Sequence, residues 1–360
     1  MRLPALLASA VLSLTVGFPA LAAARPVPVE VWADRPYVRA VSMNPSGTRF
    51  AMLQRLERGG RYVPFTFDPS DLENSPVRIT IGNDDVEPQS VFWANDDILI
   101  LNLVLENRLN NRIIRLPRFL SVNVETGETF NLLEMRSRER GVKTARRGVT
   151  LGQGRLVSVL GADPEHVLMM WSGADTNGIA DYYKVNVNTG ARERVLRSND
   201  RLESYIFDRN GQARAAQKYD PNGPRILTLA RTVGGEWEEI GALDSRNRFQ
   251  FTVQGFFEAN QPNAATAVIG DAGSDFTGVY AIDITDPSNR ELLFRVEGAD
   301  ALGALTSPVR SRTGELVGFS YADRHRSRDY YLDENYAMLQ AQFEAAFPDR
   351  NVSILSISED

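Results

Sequence analysis

The chain contains no cysteine. That absence excludes a disulfide framework, a thiolate nucleophile, Cys-ligated zinc and a Cys-linked lipid, so stability has to come from a buried core. Histidine is almost as scarce: His166 and His325 are the two in the sequence. A histidine-rich metal site is therefore ruled out, and the sequence assigns no metal, no cofactor and no catalytic residue. Positive charge is also in deficit, with 40 Lys and Arg against 46 Asp and Glu and a net charge of -6. This is the wrong sign for a surface built on nucleic-acid phosphates, and no nucleic-acid partner is expected. The one basic cluster, Arg136, Arg138, Arg140, Lys143, Arg146 and Arg147, holds no aromatic residue for base stacking and reads as a solvated loop.

Long apolar runs are missing too, except at the N-terminus. There Arg2 precedes "LPALLASAVLSLTVGF", then Pro19 and "ALAAA". A charged start, an apolar stretch and small residues in sequence are the features of a secretory signal, here residues 1–24. Cleavage after Ala22 or Ala24 would leave Ala at both recognition positions and a mature chain starting near Arg25. The apolar part is short for a membrane span and no basic stop-transfer cluster follows, so a periplasmic or secreted protein without a stable membrane anchor is expected. The remainder, at 43% hydrophobic and 24% charged residues overall, has the composition of a folded domain.

What the sequence does have is repetition. "FLSVNVETGETFNLL" from Phe119 and "YYKVNVNTGARERVL" from Tyr182 share the frame Val-Asn-Val-x-Thr-Gly, and "VYAIDITDPSNRELL" from Val279 keeps the alternation with different turn residues. A second hairpin type recurs as "VRAVSMNPSGTRFAML" from Val38, "ESYIFDRNGQARAAQ" from Glu203 and "LTSPVRSRTGELVGFSY" from Leu305. Asn, Asp and Gly supply positive φ at the turns, and period-two alternation fills the pleats. Two hairpins make a four-stranded sheet, and sheets repeated at about 40–50 residues indicate a β-propeller. The expected fold is thus all-β, one propeller over 25–360, with blades near 37–82, 86–134, 151–200, 201–246, 247–296 and 300–332. Trp93 is expected to pack between blades, with Asn95-Asp96-Asp97 as a turn.

One stretch departs from this pattern. "YLDENYAMLQAQFEAAFPD" spaces Tyr336, Leu339, Phe343 and Phe347 by three and four and ends at Pro348, which predicts an inserted amphipathic helix over 333–347 packing on the rim. The closing "NVSILSISED" aligns with "VRAVSMNPSG", so 350–360 reads as the inner strand of an incomplete further blade, and the sequence as a truncated protein.

Taken in order, "VSMNPSGTRFAML", "VFWANDDILILNL", "SVNVETGETFNLL", "DYYKVNVNTGARERVL" and "GELVGFSYADRHRSRDYYLDENYAMLQAQFEAAFPDRNVSILSISED" resemble the N-terminal propeller of secreted bacterial prolyl oligopeptidase-type serine peptidases, the dipeptidyl and acylaminoacyl peptidases included. The resemblance runs from about Val38 onward; the single turns are common to many propellers, whereas the last stretch is selective. It implies an α/β-hydrolase domain carrying a Ser, Asp and His triad beyond this sequence, a peptide substrate for the parent enzyme, and a propeller that gates access to the triad. The chain by itself is then expected to be inactive. The rival reading is a stand-alone periplasmic propeller that binds a peptide, glycan or protein, its last blade closed by "PVPVEVWADRPYV".

Residues with chemical potential have simpler readings. Ser320, in Gly318-Phe319-Ser320-Tyr321-Ala322 ahead of His325, sits in a continuous strand pattern and not in a nucleophile elbow. His166, in "GADPEHVLMMW", reads as a surface or hydrogen-bonded histidine. Asp175, Asn177 and Asp181, and likewise Asp271 and Asp275, lack the full spacing of a calcium loop and read as turns. Glu238-Glu239 resembles the acidic pair with which some dipeptidyl peptidases hold a substrate amino terminus, but it falls in a hairpin strand and the role is not carried over.

Overall fold

The structure, a computed structural model, describes residues 28–81, 86–109, 112–133, 152–173, 179–198, 202–244, 246, 250–256, 261–270, 274–312, 314–323, 326–348, 350, 352–354 and 356–358. The leader 1–24 and the basic cluster lie outside them. Met1–Pro36 and Tyr37–Asp360 are separate compact units. In the first, the stretch read as a closing strand is instead a one-turn helix, α1 (Val29–Ala33), started by Pro28 at φ -56. Proline's fixed φ suits a first helical turn and withholds the N–H that a strand would use.

The second unit is a succession of antiparallel meanders. Sheet 1 holds β1 (Val38–Met43), β2 (Phe50–Arg55), β3 (Tyr62–Phe67) and β4 (Val77–Arg78); sheet 2 holds β5 (Val86–Trp93), β6 (Ile98–Leu109), β7 (Arg112–Asn123) and β8 (Thr129–Leu132). Sheet 3 holds β9 (Gly152–Val159), β10 (His166–Gly173), β11 (Asp181–Asn186) and β12 (Arg192–Arg197); sheet 4 holds β13 (Glu203–Phe207), β14 (Ala213–Tyr219), β15 (Arg225–Ala230) and β16 (Glu238–Asp244). Sheet 5 holds β17 (Gln250–Phe256), β18 (Ala264–Gly270), β19 (Gly278–Asp283) and β20 (Asp286–Phe294). Sheet 6 has three strands among the described residues, β21 (Asp300–Thr306), β22 (Leu316–Asp323) and β23 (Arg326–Tyr331), and is followed by α2 (Glu334–Ala346).

The core is laminated between successive sheets. Leu53 and Tyr62 meet Trp93, Leu99 and Leu101 between sheets 1 and 2; Ile100 and Phe119 meet Val167, Met169 and Trp171 between sheets 2 and 3. Leu168 and Tyr182 meet Tyr205 and Ala216 between sheets 3 and 4; Ala215 meets Phe251 and Ala267 between sheets 4 and 5; Val268 and Val279 meet Phe319 between sheets 5 and 6. Each strand alternates its side chains between two such seams, which is why both faces of a central strand are apolar. Four-stranded meanders stacked in chain order are the architecture of a β-propeller. Trp93 packs between sheets 1 and 2 and donates Nε1–H to the Ser42 carbonyl at 3.1 Å.

The repeated Asn-containing frame has a local cause. Asn123 Oδ1 accepts from the backbone N–H of Glu125 and of Thr126, each at 2.9 Å, and Gly127 follows at φ 74. Asn186 Oδ1 accepts from Asn188 N–H and from the Thr189 hydroxyl, each at 3.0 Å, and Gly190 follows at φ 70. The side chain closes the turn that the positive-φ glycine completes. In the third copy Asp283 Oδ1 takes the Asn role, accepting from Thr285 N–H and Oγ1–H, and those bonds hold its carboxyl below the usual range.

Between sheet 6 and sheet 1 lies segment 352–358, whose described residues belong to no strand. Gln340 of α2 donates Nε2–H to the Val352 carbonyl at 2.8 Å, Ser353 hydrogen-bonds Asp329 of β23, and Ser358 lies against Gly47 in the β1–β2 turn. The helix is where the spacing predicts, and Asp333 caps it by accepting from Asn335 and Tyr336 N–H. Its buried side is narrower than the predicted stripe: Tyr336 and Gln340 are buried, whereas Phe343 and Phe347 remain 43% and 53% exposed. Segment 352–358 is contacted through a polar amide rather than an apolar face.

Candidate functional site

Sheet 3 builds a cavity of about 370 Å³ at its turn end, lined by His166, Lys184, Asn186, Thr189, Ala191, Arg192 and Glu193. Register explains the grouping. His166 pairs with Asn186, Leu168 with Lys184, and Lys184 with Glu193, so the period-two face that sends Leu168 and Tyr182 into the seam with sheet 4 carries His166, Lys184 and Asn186 at its end. There the apolar face gives way to polar residues.

Asp163, in the β9–β10 turn, organises this end. Its Oδ1 lies 2.9 Å from His166 Nδ1 and its Oδ2 lies 2.5 Å from Lys184 Nζ. Burial pushes the Asp163 carboxyl up, but the hydrogen bonds from Lys184 and His166 outweigh it and hold the group down at about 2. An ionised carboxylate is acceptor-only, so His166 Nδ1 carries the proton of that bond and Nε2 is left for the cavity. Asn186 spends its carbonyl oxygen on the turn, so its amide nitrogen is the atom left to donate. Arg192 stands over the Tyr183 ring at 5.7 Å.

The sequence candidates are dispersed. Ser320 lies in mid-strand in β22, paired with Gly303 and Asp329, where no strand-to-helix elbow exists. His325, Asp175, Asn177 and Asp271 lie outside the described residues; Asp275 is exposed. Asp181 is a strand residue and not a turn residue: it is buried at the start of β11, accepts from the Tyr183 hydroxyl at 3.2 Å and lies 3.5 Å from Arg194 Nη1. Glu238 and Glu239 open β16, and Glu239 accepts from Arg225 at 3.4 Å. His166 is hydrogen-bonded, and it is the one candidate that lines the cavity. Lys184, Asn186 and Arg192 were not singled out by the sequence. Their signal was the hairpin "YYKVNVNTGARERVL" following "DPEH", which reads as ordinary turn chemistry until the register brings the two together.

No protein-family model and no curated protein matches the chain. Among solved structures, a prolyl endopeptidase from a study of two such enzymes is similar over 83% of this chain and 41% of its own, with 12% identity and a TM-score of 0.48. Prolyl oligopeptidase B from Galerina marginata, bound to a 35mer hydrolysis and macrocyclization substrate, is similar over 84% of this chain and 43% of its own, with 9% identity and a TM-score of 0.49. An oligogalacturonate lyase in complex with manganese is similar over 84% of this chain and 78% of its own, with 12% identity and a TM-score of 0.47. The chain spans less than half the length of the two prolyl peptidases. None of these likenesses transfers an activity to it.

Proposed function

We propose that this chain is the propeller portion of an exported prolyl oligopeptidase-type serine peptidase, with the role of restricting peptide access to an α/β-hydrolase domain outside this sequence. The observation that carries the reading is the order of parts after sheet 6. The most selective resembling stretch corresponds to β23, the Asp333-capped helix α2 and the segment 352–358 beside the first sheet. That segment has strand-like alternation yet belongs to no strand among its described residues. Export rests on the leader 1–24; no helix among the described residues is long and apolar enough to cross a membrane.

The test has two parts. The purified 360-residue chain is expected to leave aminoacyl and dipeptidyl chromogenic substrates intact, and measurable turnover would overturn the reading. In its source cells, an antibody against the propeller is expected to detect a protein far heavier than 40.0 kDa.

A band just below that mass would instead favour a stand-alone binding propeller for a peptide, glycan or protein. One feature supports this alternative: segment 352–358 already contacts both sheet 6 and sheet 1, so the stack has a closing piece within the chain.

A further inference from the structure

We propose that the outer edge of β23 is a docking site for an extended segment of a partner protein, which adds to sheet 6 as its fourth strand with an apolar side chain beside Tyr330 and an acidic one beside Arg326. Sheets 1 to 5 each end in a fourth strand, whereas sheet 6 stops at β23 among the described residues. The ladder shows which backbone groups this leaves over. Leu332 N–H donates to the Val317 carbonyl at 2.8 Å, and β22 and β23 pair in unbroken register from Gly318 with Tyr331 to Asp323 with Arg326. By alternation Tyr330, Arg328 and Arg326 spend their backbone groups on β22, and Tyr331, Asp329 and Ser327 turn theirs outward. None of these three has another backbone partner among the described residues. A row of outward N–H and C=O groups is a template for one more strand.

The sister sheets show what belongs there. Phe119, Tyr183 and Tyr280 sit on third strands opposite the fourth-strand residues Leu132, Arg194 and Leu292, and all three rings are buried. Tyr330 sits on the third strand of sheet 6 and is 52% exposed. It lies opposite Phe319 in the register and stacks at 5.4 Å on Phe294, which itself stacks on Phe319 at 4.9 Å. Its ring therefore extends the seam between sheets 5 and 6 to where no strand covers it. Arg326 shares this face. It is exposed and has no ion pair among the described residues, while Arg328 between them is engaged by Asp323 at 3.2 Å. An acidic side chain supplies what Arg326 lacks, and both Tyr330 and Arg326 meet an added strand at non-hydrogen-bonded pairs, where facing side chains come closest. A second copy of the chain fits less well: the pairing of two β23 strands that uses all three outward residues sets Asp329 against Asp329.

The probe is a capped peptide, Thr-Val-Thr-Thr-Thr-Glu, which in antiparallel register sets Val opposite Tyr330 and Glu opposite Arg326. Titrated with the full chain and followed by anisotropy of a terminal label, it should bind saturably and slow amide exchange at Ser327, Asp329 and Tyr331. Thr-Glu-Thr-Thr-Thr-Val, with Val and Glu exchanged, should bind about tenfold more weakly. Arg326→Gln should weaken the first peptide about threefold. Ser327→Pro deletes an outward N–H and leaves the β22–β23 bonds in place, a change that an edge strand tolerates, so it should weaken binding about tenfold with an unchanged thermal melt. If the proline variant does not fold, the exchanged peptide and Arg326→Gln still decide. Absence of saturable binding, equal affinity for the two peptides, or binding unmoved by Ser327→Pro and Arg326→Gln would overturn the site. Self-association of the chain that Ser327→Pro abolishes would give the edge to a second copy and overturn the partner assignment.

Discussion

The Cβ of Ser358 lies against Gly47, 2.7 Å from where a side chain at position 47 would begin. Gly47 also has φ 71, in the left-handed region that other residues enter at a cost. Gly47→Ala therefore combines backbone strain with displacement of segment 352–358, and Gly59→Ala supplies the control. Gly59 has φ 76 and nothing within 4 Å, so it carries the backbone cost of about 1 kcal/mol alone. Urea unfolding should show Gly47→Ala losing roughly 1 kcal/mol more than Gly59→Ala. Equal losses would mean that the contact contributes nothing.

Asp163 makes stability depend on acid. Its carboxyl is held at about 2, below the ordinary 3.8, so the folded chain favours the ionised form. The contribution is fully present above the unfolded value near 3.8 and is lost as pH falls through the folded value near 2. With the side chain 27% exposed, solvent screening reduces it to about 1–2 kcal/mol. Asp163→Asn should lower stability by that amount near neutrality and flatten the acid limb of a urea-versus-pH series over that window. An unchanged limb would place the acid sensitivity elsewhere.

Arg214 joins sheets 4 and 5. Its buried guanidinium donates to the Arg231 carbonyl at 2.9 Å and the Pro262 carbonyl at 2.7 Å, and lies 3.5 Å from Asp208 and 4.9 Å from the Phe256 ring centroid. Arg214→Met strips donors from buried carbonyls and should cost about 2–4 kcal/mol. Arg214→Lys keeps the charge but not the fork and should recover less than half of it. Full rescue by lysine in thermal unfolding would show that charge alone matters.

Asp333 combines two tasks, capping α2 and accepting from Arg312 Nη2 at 3.1 Å. Asp333→Ala should destabilise by about 1 kcal/mol and speed amide exchange at Asn335 and Tyr336. Asp333→Asn keeps a capping oxygen and should restore slow exchange while leaving the Arg312 contact weakened. Exchange unchanged in Asp333→Ala would remove the cap from the account.

The sheets were legible because their turns are written in the local sequence: Asn123 and Asn186 close the same turn in the same frame, and the strands beside them alternate at period two. Trp93 was legible as an apolar residue within such a strand. Helix α2 was legible as an element but not in its packing, since Gln340 faces segment 352–358 and Phe343 faces water, which spacing alone does not reveal. The cavity was legible only in part. His166 drew attention, yet its neighbour Lys184 comes from the paired strand β11, and a one-residue change of register would send it to the opposite face. Asp181 was misread as a turn residue: it begins β11, and the arginines near it, Arg194 and Arg197, lie on the paired strand β12.

Five of the joins between sheets unite neighbours along the chain, so each can assemble as soon as its two hairpins exist, with little loop-closure entropy to overcome. The contact of Ser358 with Gly47 is of another kind, since it brings together the two distant ends of the Tyr37–Asp360 unit. Its closure carries the largest loop-closure entropy, and among the described residues it is marked by polar contacts and by side-chain packing at Gly47. The native protein should therefore breathe there, parting at that joint without disturbing any other layer.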